Sequence, residues 1–111
     1  MSKYHHTYLL DKRGRPYPVS DLVAWGKGMK AVNRQVAYTT VSKDILETPT
    51  IGVSTVFLGL NHQFGEGKPV LYETLIQGGV HDGKITRYST RKEAKRGHRK
   101  AIRLAKEDNF A

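Results

Sequence analysis

Two short stretches of this sequence carry residue types suited to holding an anion. The first lies between two apolar segments and contains His62, Phe64, Gly65 and Gly67. In such a loop Phe64 would stack on a base, the glycines would let backbone N–H groups approach phosphate, and His62 or Lys68 would supply charge. The same residues would also suit a plain hairpin loop, in which the glycines provide turn dihedrals and Phe64 enters the core. The loop is therefore a candidate nucleotide site with a structural alternative.

The second stretch is Arg87-Tyr88-Ser89-Thr90-Arg91, at a predicted junction between a strand and a helix. Free backbone N–H groups at the start of a helix attract anions, and arginines add bidentate donors. The alternative is a capped helix that carries two solvated arginines. We expect Arg87, Tyr88 and Arg91 to be the best candidate ligand-binding residues of the chain, with both arginines pointing into one concavity.

The C-terminal segment concentrates the positive charge of the chain. Residues 90–111 hold eight bases against three acids, within a chain of 111 residues whose net charge is +9. Bases that recur at three- and four-residue steps on one helix can track phosphates on a duplex, but a solvated helix face shows the same pattern. The charge favours an anionic partner, which is a nucleotide, a nucleic acid or an acidic protein.

The composition argues against catalysis and metal binding. The chain has no cysteine, which removes disulfides, zinc–thiolate sites, iron–sulfur clusters and thiol catalysis. Its histidines lack the paired spacing of metal ligands, and no serine lies in a nucleophile elbow. Glu66, Glu73 and Asp82 can supply a carboxylate pair, but no pattern fixes their separation. We therefore expect a binding protein with no cofactor, no metal and no catalytic residues rather than an enzyme.

Length and hydropathy set the remaining bounds. A chain of 111 residues suits a single domain over residues 1–111. No apolar run approaches the roughly 18 residues that span a membrane, and the N-terminal residues lack the apolar core of a secretory signal. Since the absence of cysteine also fits a reducing compartment, we expect a cytosolic protein without a membrane partner.

Hydrophobic periodicity predicts the elements that would position these residues. Residues 8–10 and 15–19 flank a turn at Gly14 and predict an edge hairpin. A short helix should follow, capped by Ser20 or Asp21 and interrupted or ended by Gly26 or Gly28. The apolar face predicted for this helix is Leu22, Trp25, Met29 and Val32.

The rest of the chain predicts strands and then a helix. The strands are expected at residues 34–41, 53–60, 70–77 and 84–88. Residues 53–60 are apolar on both sides, which indicates a central strand covered on two faces. Ser89 or Thr90 with Glu93 has the spacing of a capping box, so a helix should start near residue 90. Its inward stripe would be Ala94, His98, Ala101, Ile102 and Ala105.

These elements together define the expected fold class. It is α+β, with an antiparallel sheet of four to five strands on which one short helix and one C-terminal helix pack. The strands offer more apolar surface than one short and one basic helix can cover. We therefore expect a homo-oligomer.

Three blocks of the sequence resemble a family of short proteins carried by bacteriophages, plasmids and some bacterial genomes. The blocks are VSTVFLGLNHQFGEG (53–67), YETLIQGG (72–79) and RYSTRKEAKRGH (87–98). They follow the family segments STVFLGL(D/N)H.FG.G, (F/Y)ET(M/L) and RYST..EA..GH in order and at similar spacing. Asn61 stands where the family more often has Asp, and Lys68 where it usually has Pro. If that acid were a metal ligand or a base, Asn61 would disable it.

The resemblance implies a small accessory protein of the phage type, which adjusts or disarms host processes. Counter-defence by sequestering a nucleotide immune signal is one role that needs no catalysis. The first expectation is thus a protein that binds a small anionic ligand, in a pocket shared between protomers because pockets of roughly 300 Å³ or more are hard to fit inside a small chain.

Two alternatives stay open. They are nucleic-acid binding through the basic C-terminal helix and inhibition of an acidic host protein. A nucleotide pocket needs two to four bases that converge beside an aromatic ring, whereas a duplex needs a continuous basic stripe of about 20 Å or more. The position of the charges on the folded chain therefore separates these possibilities.

Overall fold

The fold, seen in a computed structural model that describes residues 5–41, 50–63 and 65–110, combines antiparallel sheets with helices. The strands are β1 (Tyr8–Leu10), β2 (Pro16–Pro18), β3 (Gln35–Val41), β4 (Ile51–Phe57), β5 (Tyr72–Gln77) and β6 (Ile85–Tyr88). The helices within these ranges are α1 (Leu22–Ala31) and α2 (Arg91–Phe110). One sheet has the order β3-β4-β5-β6, and β1 pairs with β2 in a separate hairpin. The expected α+β class is confirmed.

Helix α2 covers one face of the four-stranded sheet. Its contacts extend across β3, β4, β5 and β6. The expected inward stripe is confirmed, because Ala94, His98 and Ala105 are buried and Ala101 and Ile102 are half-buried. These mostly small side chains let the helix approach the sheet closely. The buried partners on the strands are Val41, Ile51, Val53, Ile76, Phe57 and Tyr72.

The opposite face of this sheet carries a row of partly exposed apolar residues. Alternation along the strands and the pairing register place the apolar residues Tyr38, Val56, Leu75 and Ile85 there, together with the polar Ser54, and we call this set the open face. Tyr38 is 57% exposed and Ile85 is 49% exposed. Neither described helix packs on it, since α1 contacts β1. Strand β4 is therefore central, as expected, but within the described chain a helix covers only one of its two faces.

Strand β4 is shifted toward the N-terminus relative to its predicted bounds. The sequence pattern places it at residues 53–60, whereas the strand covers Ile51–Phe57. Gly59 has a positive φ of 75°, which ends the regular extended conformation. Beyond this point Leu60 forms a bridge with Thr7 and the Gly59 carbonyl accepts the Tyr8 N–H at 2.8 Å. The N-terminal hairpin is thereby attached to the end of β4.

Helix α1 begins as predicted but runs further than its glycines suggest. The Asp21 carboxylate accepts the N–H groups of Val23 at 2.9 Å and Ala24 at 3.2 Å, which confirms the cap. The helix continues through Gly26 and Gly28 to Ala31, so the prediction that a glycine ends it is wrong. Gly28 allows close packing of α1 on β1, because a Cβ atom at this position would overlap the side chain of Leu9.

The predicted apolar face of α1 is only partly correct. Trp25, Met29 and Val32 are half-buried, but Leu22 is 66% exposed. The reason is that α1 packs on β1 and on the chain at Gly59 rather than on the broad sheet. The first turn of the helix therefore extends beyond its support.

A capping box starts α2. The Thr90 hydroxyl accepts the Glu93 N–H at 3.1 Å, and the Glu93 carboxylate accepts the Thr90 N–H at 3.0 Å. A further hydrogen bond from the Thr90 hydroxyl is the main cause that holds the pKa of Glu93 below its ordinary value. The predicted start is confirmed, and Thr90 rather than Ser89 is the cap.

Replacing Thr90 with Ala should lower the free energy of unfolding by about 0.5–2 kcal/mol, because the Glu93 N–H loses its acceptor. Chemical denaturation measures this difference. The matched substitution Ser89→Ala should change stability by less than about 0.5 kcal/mol. Equal losses in the two variants would contradict the assignment of the cap.

A buried histidine joins α2 to three threonines of the sheet. His98 is 4% exposed, and its Nε2 and Nδ1 lie 2.9 Å from Thr39 Oγ1 and 2.7 Å from Thr55 Oγ1. Thr55 Oγ1 lies 2.6 Å from Thr74 Oγ1. A neutral imidazole satisfies this arrangement by donating from one nitrogen and accepting at the other. Burial lowers the pKa of His98 from its ordinary value of 6.5.

His98 should make the stability of the protein depend on pH. Because its pKa is lower in the folded chain, the unfolded chain binds the proton first as the pH falls. Stability should therefore decline below about pH 6.5, by at most about 1.4 kcal/mol per pH unit from this group. Urea denaturation at several pH values in this range gives the free energy of unfolding as a function of pH. This free energy should change less steeply with pH for His98→Gln than for the unmodified chain. An unchanged pH dependence would contradict the buried neutral histidine.

Candidate functional site

The predicted loop between the apolar segments is closed by Asn61. This side chain is 3% exposed, and its Oδ1 accepts the N–H groups of Gln63 at 2.8 Å and Val70 at 3.0 Å. Its Nδ2 donates to the carbonyl of His5 at 3.0 Å. The residue thus fixes both ends of the loop and ties it to the N-terminal segment. The amide at this position has a structural role that needs a donor as well as an acceptor.

The predicted ligand residues of this loop differ in their surroundings. His62 is half-buried, and its backbone N–H donates to the backbone carbonyl of Val70 at 2.9 Å. Gly65 and Gly67 are exposed, with φ angles of 95° and 127°. Phe64 lies outside the described residues. Within residues 5–41, 50–63 and 65–110, no three His, Asp or Glu side chains form a group that can hold a metal ion.

The predicted junction residues separate onto two faces of the sheet. Tyr88 lies on the face covered by α2, where its ring reaches the helix at Gly97. Arg87 alternates with it and therefore points to the opposite side, where its Nε donates to Glu73 Oε1 at 3.1 Å. Arg87 and Glu73 are directly opposite each other in the register of β5 and β6. Arg87 is thus committed to a carboxylate on the side away from α2.

Arg91 lies at the other side of the junction. It is half-buried and its guanidinium reaches the turn of the N-terminal hairpin at Gly14. The residues around it form a shallow depression of about 360 Å³ that includes Lys12, Arg13 and Gln35. Arg91 therefore joins the bases of the hairpin, and Arg87 does not line this depression.

The rotation of α2 sorts its charged residues. Successive helical residues turn by about 100°, so side chains can be placed around the axis from the buried His98. Six bases fall within one arc of about 100°, with no acidic residue of α2 among them. We call these residues the cationic flank: Lys92, Lys95, Arg96, Arg99, Arg103 and Lys106.

The cationic flank is free to meet an anion. All six side chains are exposed, and among the described residues none of them forms an ion pair. Lys92 and Lys106 are about 21 Å apart along the helix axis. The flank therefore reaches the length of about 20 Å that duplex binding requires.

The hairpin bases extend this surface beyond the start of the helix. Gly97 and Leu104, on the other side of α2, line a groove together with residues of β5 and β6, so the cationic flank turns toward β3 or solvent. Gln35 begins β3 and shares the depression at Arg91 with Lys12 and Arg13. The one acid of that turn, Asp11, is occupied by the backbone N–H groups of Arg13 and Arg15 at 2.9 Å each. These hydrogen bonds, first that from Arg15, hold its pKa below the ordinary value.

Part of this arrangement was accessible from the sequence and part was not. A helical projection of residues 91–106 places six of the eight bases in one arc that excludes Glu93, without any coordinates. The contribution of Lys12 and Arg13 depends on the docking of the hairpin beside α2, and no local sequence signal specifies that.

No protein-family model, curated protein or solved structure matches this chain, so the site is interpreted from its own geometry. Neither described helix is long and apolar enough to cross a membrane.

Replacing Asn61 with Ala should lower the free energy of unfolding by about 1–3 kcal/mol, because the part-buried N–H groups of Gln63 and Val70 lose their acceptor. Thermal and urea denaturation measure the change. The neighbouring substitution Gln63→Ala removes an exposed side-chain contact and should cost less than about 0.5 kcal/mol. If Asn61→Ala were equally mild, the loop would not depend on this amide.

Proposed function

We propose that this protein is a non-enzymatic nucleic-acid-binding protein, which holds a duplex by its phosphate backbone along the cationic flank of α2. The observation that carries the proposal is the separation of charge around this helix. Six exposed bases lie on one flank, and no acid interrupts them. Lys12, Arg13 and Arg91 continue the positive surface at one end.

The dimensions of the flank suit a nucleic-acid backbone. Base-pair steps of B-DNA are spaced by about 3.4 Å along the axis, so a stripe of about 21 Å spans about six steps and has phosphates within reach along its length. Each Lys or Arg that meets a phosphate releases a condensed counterion. Binding should therefore be strong at low salt and weaken steeply as salt is added.

We propose that the flank binds nucleic acid without regard to base sequence. It consists of Lys and Arg alone, and in this proposal these side chains meet phosphates rather than base edges. Phosphate contacts position a protein on a duplex but carry no sequence information. The protein would thus coat or occupy nucleic acid rather than select one site.

Sequestration of a nucleotide signal is less well supported by the arrangement of its candidate residues. That function needs bases converging beside an aromatic ring, yet Arg87 pairs with Glu73 on the side of the sheet away from Tyr88. Arg91 turns toward the hairpin instead. The duplex interface is therefore the function that the geometry supports best, and nucleotide binding becomes an outcome of its test.

The resemblance to phage- and plasmid-borne proteins supports an accessory role in the host cytosol. A small protein that covers nucleic acid without sequence preference can compete with host proteins that act on it, including those of defence. This mode of action requires no catalytic group.

Neutralising Lys95 and Arg99 together, as Lys95→Gln and Arg99→Gln, should weaken duplex binding. The slope of log affinity against log salt should also become less steep by about one unit for each base removed. Fluorescence anisotropy with a labelled DNA duplex of arbitrary sequence, titrated at several KCl concentrations, measures both quantities.

Lys27→Gln with Lys30→Gln is the matched control, since it removes the same charge from exposed positions on α1. This variant should keep the salt slope of the unmodified protein. Equal effects of the two double variants would contradict a defined interface. A mononucleotide or cyclic dinucleotide that binds more tightly than the duplex, and loses affinity with Arg91→Lys, would favour nucleotide sequestration instead.

We further propose that two copies associate through the open face. Tyr38 and Ile85 leave apolar surface exposed there. The nearby charges of Glu73 and Arg87 are paired, so these two residues add little to the electrostatic repulsion between two basic chains. Sedimentation equilibrium should give at least twice the mass of one chain. Ile85→Lys should shift the protein toward the monomer, whereas Val23→Lys, at an exposed apolar position on α1, should not. A monomer at tens of micromolar would contradict this association.

A further inference from the structure

A groove of about 460 Å³ lies between α2 and the β5–β6 side of the sheet. It is on the flank of α2 opposite to the cationic flank. Its apolar wall consists of Ile76, Ala101 and Leu104, its hydroxyl groups belong to Thr74, Thr86 and Tyr88, and its bases are Lys84 and Lys100. The groove thus combines an apolar wall with two positive charges.

The contact between Tyr88 and Gly97 fixes one end of this groove. The tyrosine ring occupies the space that a side chain at Gly97 would need, so strand and helix meet closely there. The helical lining continues from Gly97 to Leu104, which is about 10 Å along the axis. This length corresponds to about three residues of an extended chain.

The strand beside the groove has an unpaired edge. The order β3-β4-β5-β6 leaves β6 at the margin of the described sheet. The Ile76 N–H donates to the Lys84 carbonyl at 3.0 Å, so the carbonyl of Lys84 faces β5. Hydrogen-bonded positions alternate in antiparallel strands, and the N–H and C=O groups of Ile85 and Arg87 therefore point away from the sheet.

We propose that β6 and the groove bind an extended acidic segment of a partner protein, which adds to the sheet as a further strand. The segment would hydrogen-bond to the outward N–H and C=O groups of Ile85 and Arg87. Alternate side chains of an added strand point to one face, so every second side chain would enter the groove. An apolar side chain would contact Leu104, and a carboxylate would meet Lys84 or Lys100.

Charge identifies the partner as a different protein rather than a second copy. Lys84 and Lys100 are exposed, and among the described residues neither has an ion pair. The edge strands β3 and β6 contain no acidic residue. A second copy that paired through either edge would therefore bring no carboxylate to these lysines. The groove and the cationic flank are separate surfaces, so this proposal does not depend on nucleic-acid binding.

The test is an NMR titration of the labelled full chain with a short capped peptide that alternates threonine with leucine and glutamate. The amide signals of Ile85 and Arg87 should shift, and their hydrogen exchange should slow, because these N–H groups gain acceptors. Lys84→Glu with Lys100→Glu should weaken binding roughly tenfold or more. Lys27→Glu with Lys30→Glu, on α1, should leave the affinity within about twofold.

Two further reagents separate strand addition from simple charge attraction. In a second peptide, the backbone nitrogens that would face β6 are methylated. This peptide keeps its side chains but loses the N–H groups that would donate to β6, and it should bind roughly tenfold more weakly. Ile85→Pro removes an outward N–H without breaking a bond to β5, and it should also lose binding while the β5 amides stay protected. If that variant does not fold, the N-methylated peptide makes the same test on the unmodified chain.

Four results would overturn the proposal. One is the absence of peptide binding at millimolar concentration. Another is equal binding of a peptide with lysine in place of glutamate. The third is equal binding of the N-methylated peptide, and the fourth is a set of shifts confined to the cationic flank.

Discussion

The hydrogen bonds of His98 to Thr39 and Thr55 fix how α2 is rotated on the sheet, and the surfaces of the molecule follow from that rotation. The imidazole is buried and bridges two strands, so the helix cannot roll without leaving polar groups unpaired in the core. With His98 inward, Lys95 and Arg99 emerge on one flank and Gly97 on the other. The same anchor therefore creates both the cationic flank and the groove.

Small residues of α2 allow the helix to lie close to the sheet in the orientation that His98 sets. Ala94 and Ala105 are fully buried and bring α2 close to the strands, while Gly97 admits the ring of Tyr88. The close approach lets a helix with few large apolar residues cover the sheet. Its remaining surface can then be given to charge, which explains how one helix can be both a core element and a basic interface.

The sequence predicted the elements well because their signals are local. The capping box at Thr90, the inward stripe around His98 and the alternation of the strands are each read within a few residues. The separation of Arg87 from Arg91 was not predicted, because it depends on which face of the sheet α2 covers. The exposure of Leu22 and the extent of the open face depend likewise on how elements dock, and propensity does not determine docking.

The rotation of α2 is tested most directly by nuclear Overhauser contacts from the ring protons of Tyr88. The placement of Tyr88 against Gly97 predicts strong contacts to the α protons of Gly97. No contact from Tyr88 to Lys95 or Arg99 is expected. Contacts from Tyr88 to Lys95 or Arg99 instead would show that the helix is rolled toward the other flank, and would contradict the placement of both the cationic flank and the groove.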